Sequence, residues 1–232
     1  MMQGLGQLRL AAVNIDGVLL NDTFSPVIHH FITSRGGTYS AEVEHAIFSQ
    51  PQGVAAGRLA EAAGGDLTAE QALAAYFEER ARYLKRHPVV LLEGAVELLR
   101  RLRRLGLQTV CYGGLDRTHF DAFLGAHADL FDAPGYVCTD SFRPGLHEIA
   151  TEVFDLKHEQ VLFVDDVARV AEAARVLGAP FIGHPGTFEH GFQRRLMRAA
   201  GVRHLVDSLD AIDEELLRRI DAEAAAGRVW EA

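Results

Sequence analysis

The sequence predicts an α/β protein: a parallel sheet flanked by helices, with an all-helical insertion after the first strand. Three observations carry this. After about residue 90, short apolar and β-branched runs alternate with helical patterns, which is how βαβ units read in a sequence. Between the first such run and the second lies a long segment, roughly residues 22 to 90, with helical periodicity and no convincing strand. The chain has 232 residues, 48% of them hydrophobic, enough for one substantial core carrying an insert.

Taken in order, the expected strands are 8–15, 107–112, 136–139, 161–165 and 180–183. The insert is bounded by capping chemistry. Ser25 is the expected N-cap with Pro26 at the first helical position, and Gly36-Gly37 ends that helix. Thr68-Ala69-Glu70-Gln71 matches a capping box that opens a helix running to about His87, where Pro88 breaks it. The expected division is therefore a core of 1–21 and 90–232 with a helical cap of 22–89. Before the second strand, Leu98, Leu99, Leu102 and Leu105 form a buried stripe, so Arg100, Arg101, Arg103 and Arg104 read as its solvated face rather than a binding patch. From Ser208 to Gly227 the pattern is an amphipathic helix with Leu209, Ile212, Leu216, Leu217 and Ile220 on one face. That face has two uses, docking on the core or making a homodimer contact.

A net charge of −9 and a pI near 5.6 give no positive footprint for nucleic acid or an anionic membrane. Cys111 and Cys138 lie in apolar runs without metal-type spacing and read as small core residues in a reducing compartment. The chain opens without a charged-then-apolar leader pattern, and no apolar run approaches the roughly 20 residues of a membrane helix. The expected location is the cytoplasm.

Four short segments, each at the end of an expected strand, carry the chemistry. The first is Val13-Asn14-Ile15-Asp16-Gly17-Val18-Leu19, an apolar strand running into an acidic turn; residues two apart face the same way, so Asn14 and Asp16 point into one site. The second is Gly113-Gly114. The third is Arg143-Pro144 in "TDSFRPGLHEIATEVF", and the fourth is Asp165-Asp166 in "VLFVDDVARVAEAARVLG". In this order, and with the helix "LLEGAVELLRRLRRLG" between the first two, they resemble the motifs of the haloacid dehalogenase (HAD) superfamily from Leu8 to Gly178. The resemblance implies a Rossmannoid core whose site lies at the carboxyl ends of parallel strands, with the insert as a helical cap.

The resemblance also implies roles. Position 14 is where the family places its Asp nucleophile, and Asn14 has no anionic oxygen with which to form an acyl phosphate. Asp16 matches the general acid and base. At Gly113 the family has a hydroxyl that holds a phosphoryl oxygen; Gly113 and Gly114 offer instead backbone N–H groups as an anion nest, or simply a turn needing positive φ. Arg143 stands for the family's Lys as a cation for an anionic group, or pairs with Asp165 or Asp166. Asp166 matches a metal ligand, with Asp165 and Asn14 beside it. A Mg²⁺ site is then weakened or lost, because Val167 and Val170 replace polar support downstream. Arg58 resembles a cap residue facing substrate, whereas His29, His30, Arg35, His184 and His190 rank lower.

An isolated amide for carboxylate would fit a designed trap that keeps shape; departures at two stations fit natural divergence. The favoured reading is a diverged HAD-like protein, inactive as a phosphatase, that binds a small anionic metabolite or uses Asp16 and Asp166 in altered chemistry. Two others remain open: a working HAD-type hydrolase of phosphate esters, and an interaction protein with a vestigial cleft.

Overall fold

The computed structural model describes residues 4–231. Five parallel strands, β1 (Leu10–Asn14), β2 (Gln108–Gly113), β3 (Tyr136–Cys138), β4 (Val161–Asp165) and β5 (Phe181–Gly183), form one sheet in the order β3-β2-β1-β4-β5. All five lie within a residue or two of the segments predicted from sequence. Alternation along β1 assigns its two faces: Ala11 and Val13 enter one apolar cluster with the leucines of α5 (Ala95–Arg104), and Leu10 and Ala12 enter a second with α7 (Ala168–Leu177). The helix α9 (Glu214–Ala225) buries Leu217, Ile220 and Ala224 in the first cluster, so its apolar face docks on the core. Leu209–Ala211 forms a separate 3-10 turn ahead of it, because Asp213 accepts from Leu216 N–H and restarts the helix.

Between β1 and α5 stand four helices, α1 (Ser25–Thr33), α2 (Ala41–Ile47), α3 (Gln52–Ala62) and α4 (Ala69–Leu84), around their own cluster of Val27, Phe31, Ile32, Leu59, Ala72 and Tyr76. The two connecting strands of chain meet as a stem: Asn21 N–H donates to Val90 O, and the Asn21 side chain bonds Pro88 O and Val90 N–H. Thr68 and Gln71 form the reciprocal capping box expected at the start of α4. Ser25 does not cap α1. Asp22 does, its Oδ1 accepting from Phe24 N–H and Ser25 N–H at 2.8 and 3.0 Å, a better acceptor for two donors than a hydroxyl.

The arginines of α5 lie on its outer side: Arg100 pairs with Glu97, Arg103 with Asp132, and Arg101 donates to Ile212 O. Cys111 is buried as expected, but Cys138 is exposed, since it ends β3 at the sheet edge. No helix among the described residues is long and apolar enough to cross a membrane.

Candidate active site between sheet and cap

In the sheet, connections run outward through β2 and β3 on one side of β1 and through β4 and β5 on the other, so a crevice opens at the carboxyl ends of β1 and β4. The cap closes over it. The space between them is about 160 Å³, with Asn14, Asp16, Asp140, Arg143, Gly114 and Asp166 on the sheet side. On the cap side it is faced by Phe24, Ile28, Ile47, Phe48, Leu59 and Phe77, together with Tyr76 and Gln52.

Asn14 is fully engaged. Its side-chain oxygen accepts from Ile15 N–H at 2.9 Å, and its Nδ2 donates both to Asp16 O at 3.0 Å and to Asp166 Oδ1 at 2.9 Å. These partners set which end of the amide is which. Turned over, it would place its NH₂ against a backbone N–H and its oxygen against a carbonyl and a carboxylate. Asp166 folds over Gly17, whose φ is +87° and where an added Cβ would meet Asp166 Oδ2 at 2.1 Å, so only glycine closes this turn. Burial, reinforced by the charge of Asp165, pushes the Asp166 carboxyl well above the usual carboxylate range.

Asp165 faces away from the cavity. Its Oδ2 takes the Tyr112 hydroxyl at 2.5 Å and its Oδ1 takes Val167 N–H at 2.8 Å, so it ties β2 to β4 and starts α7. Burial raises its pKa as well. Asp16 does reach the cavity, and its Oδ1 is held by His119 Nε2 at 2.9 Å from α6 (Arg117–Leu124).

Among the described residues Arg143 makes no ion pair with Asp165 or Asp166. Its guanidinium instead lies against Gly114, where an added Cβ would come within 1.8 Å of Nη2. Its Nη1 donates to Ser49 Oγ at a long 3.4 Å, and its buried Nε has no partner among the described residues.

Gly113 and Gly114 form no nest, since neither has positive φ. What they supply is room: a Cβ on Gly113 would sit 2.5 Å from Ile15 Cγ2. Gly113 also stays outside the cavity lining, as does Arg58, which is exposed and pairs with Glu61. His119 and Tyr76 were not foreseen. Both sit on helices whose apolar spacing reads as packing, and no local signal marks either one.

Mg²⁺ requires close oxygen donors in near-octahedral array. Here two N–H bonds of Asn14 occupy the point between Asp16 O and the Asp166 carboxylate, and among the described residues no three His, Cys, Asp or Glu side chains gather as a cation site. The Asn14 amide thus puts N–H groups where a cation joining those two oxygens would need oxygen donors.

Residues 9–178 match the haloacid dehalogenase-like hydrolase family. The chain belongs to that family. No curated protein matches it. Among solved structures, a phosphonoacetaldehyde hydrolase-like protein from Oleispira antarctica aligns with a TM-score of 0.69 at 13% identity, covering 98% of this chain and 97% of that one. A HAD hydrolase of family IA, variant 3, from Entamoeba histolytica aligns at 0.67 and 14%, covering 93% and 100%. A HAD family hydrolase from Deinococcus radiodurans, with bound phosphate and sodium, aligns at 0.57 and 19%, covering 94% and 97%. At these identities the likeness is one of fold, and it extends over 93% to 98% of this chain.

Proposed function

We propose that this HAD-family cleft receives a small anionic metabolite on Arg143 and does not hydrolyse phosphate esters through a covalent intermediate at position 14. One observation supports it above the rest: the group at the nucleophile's place is an amide with both N–H donors committed, while Arg143, the one Lys or Arg side chain lining the cavity, has an Nε without a partner among the described residues. A neutral amide supplies no attacking anion. A guanidinium with unmet donors is a seat for one.

The chemistry left to the site is proton transfer. Asp16, aimed by His119, stands on the cavity as a base, and Asp166, favouring its neutral form, can donate. The test has two arms. Phosphate release from p-nitrophenyl phosphate and a panel of small phosphomonoesters, with and without Mg²⁺, is expected to stay at background. Inorganic phosphate and acetate are expected to raise the melting temperature of the protein but not of Arg143→Met. A phosphorylated Asn14 recovered from the unmodified chain would overturn the first half, and equal anion response in the variant would overturn the second.

A further inference from the structure

A second cavity, about 460 Å³ and open to solvent, lies where the stem of the insert leaves the core. Gly17 lines it where Asp16 lines the cleft, and Asp22 is the one residue the two linings share. His184, 9% exposed and in the loop after β5, forms part of its wall. Nδ1 of His184 donates to Gly17 O at 3.0 Å, so the ring proton sits there and Nε2 is left as an acceptor. That Nε2 has no partner among the described residues and is not sealed in; it opens on the cavity. Burial lowers the His184 pKa, which keeps Nε2 bare at neutral pH. A side chain buried this far rarely leaves an acceptor unmet without a reason. Two carboxylates stand beside it. Asp22 gives Oδ1 to the start of α1, whereas its Oδ2 has no partner among the described residues and faces the loop, 3.7 Å from where a Cβ on Gly186 would lie. Glu93 is exposed and makes no ion pair among the described residues, and Asp207 is already paired with Arg194. Among the described residues no Lys or Arg lines this cavity.

We infer that this second cavity binds a small primary amine, its ammonium group shared between His184 Nε2 and Asp22 Oδ2 and its apolar body against Pro185, Phe188 and Leu209. An ammonium carries three donors and no acceptor, the complement of a wall that offers a bare imidazole nitrogen and a free carboxylate oxygen. An anion there would meet Asp22 and Glu93 with no cation to offset them. A metal ion fits less well, because no three His, Cys, Asp or Glu side chains converge among the described residues. An ammonium needs no such convergence: it bridges two acceptors and leaves its third N–H to water. Apart from Asp22 the site shares no residue with the cleft, so it stands or falls independently of the reading of Arg143.

The probes are phenethylamine, 2-phenylethanol and phenethyltrimethylammonium, measured by calorimetry and thermal shift on the full chain. Phenethylamine should bind about tenfold tighter than the alcohol, the margin of a charge-assisted hydrogen bond over a neutral one. The trimethylated cation, which keeps the charge and loses every N–H, should bind more weakly than the amine. Asp22→Asn keeps the oxygen that caps α1 and should weaken the amine about tenfold. Gly186→Val places a side chain before Asp22 Oδ2 at an exposed position; it should abolish amine binding and leave the melting temperature of the ligand-free protein unchanged. Arg143→Met and Asp140→Asn, which alter the cleft alone, should bind the amine like the parent protein. No response of the parent protein to phenethylamine would overturn the site outright. Binding that survives Gly186→Val, or that is lost in Asp140→Asn, would place the amine elsewhere and overturn it equally. Alcohol or trimethylated cation binding as tightly as the amine would overturn the roles of His184 and Asp22. A rise in melting temperature with Zn²⁺ that Gly186→Val removes, without one for the amine, would make the cavity a metal site instead.

Discussion

Replacing a carboxylate by an amide at position 14 changes how the lip of the sheet is held together. The two N–H groups of Asn14 join Asp16 O and Asp166 Oδ1, the work a cation would otherwise do between those oxygens. Asn14→Asp should therefore destabilise the metal-free protein by about 2 kcal/mol, by losing two donors and placing a third carboxyl beside Asp165 and Asp166. Added Mg²⁺ should recover much of that in the variant and do nothing for the parent, which a melting series with and without the ion would read. Position 114 makes a second test. A methyl group at Gly114 would displace the end of a flexible side chain, so Gly114→Ala should cost little stability but weaken acetate or phosphate binding about tenfold or more, seen by calorimetry. Unchanged affinity would mean that the guanidinium does not need this berth. Asn14, Asp16 and Asp166 were legible as neighbours because each follows a short apolar run that reads as a strand, and strand ends converge in a parallel sheet; Arg143, beyond the 3-10 turn Asp140–Phe142 that follows β3, was legible only through the family resemblance. His119 and Tyr76 were illegible because a helical position shows its periodicity and not its neighbour across the molecule, and Arg58 failed for the same reason.

At the scale of elements, the cap is held to the core by α2. Glu44, buried in the seam, accepts the Phe192 N–H at 2.9 and 3.0 Å through its two oxygens and the Tyr39 hydroxyl at 2.6 Å, so a cap carboxylate serves the first turn of α8 (Gln193–Ala199). Next to it His45 pairs with Glu172 and receives the Arg169 guanidinium at its carbonyl, tying α2 to α7. Burial raises the Glu44 carboxyl above its ordinary range. Glu44→Ala should cost about 2 kcal/mol, because a backbone N–H and a phenol lose their acceptor, while Glu44→Gln should cost less by keeping one. Urea unfolding gives the totals, and faster hydrogen exchange at the Phe192 amide in the Ala variant would place the loss at this seam; no change in exchange there would reject the latch. None of this was readable from "AEVEHAI", where alternate acids look like a solvated face. The capping box of α4 was readable, because both of its partners lie within four residues. The segment after Pro144 forms a π-helical turn over Glu148–Val153, which no residue pattern in the sequence marked.

Over the whole molecule, the titratable groups pull stability in opposite directions with pH. His184 is buried with Nδ1 against Gly17 O, and burial lowers its pKa. Below about pH 6.5 the unfolded chain takes a proton that the folded one resists, so this group erodes stability as pH falls. Asp166 acts the other way. Its folded pKa lies well above the unfolded value, so the native state binds the extra proton and loses its advantage as pH rises past about 4. Asp165 shares the burial and the repulsion, and the two carboxyls titrate as a pair. Asp166→Asn keeps the shape and removes the titration, so the contribution of His184 and the self-repulsion of a −9 chain cancel when the two proteins are compared. The stability of the parent minus that of the variant should fall by about 1.4 kcal/mol for each pH unit above 4 until the native pair ionises. The variant should then be the more stable protein at pH 7. Urea unfolding at half-unit steps from pH 4 to 8 measures that difference directly. Two parallel curves would mean that Asp166 is ionised in the native state like any surface carboxylate, and Asp166 would then have no proton to donate in the cleft.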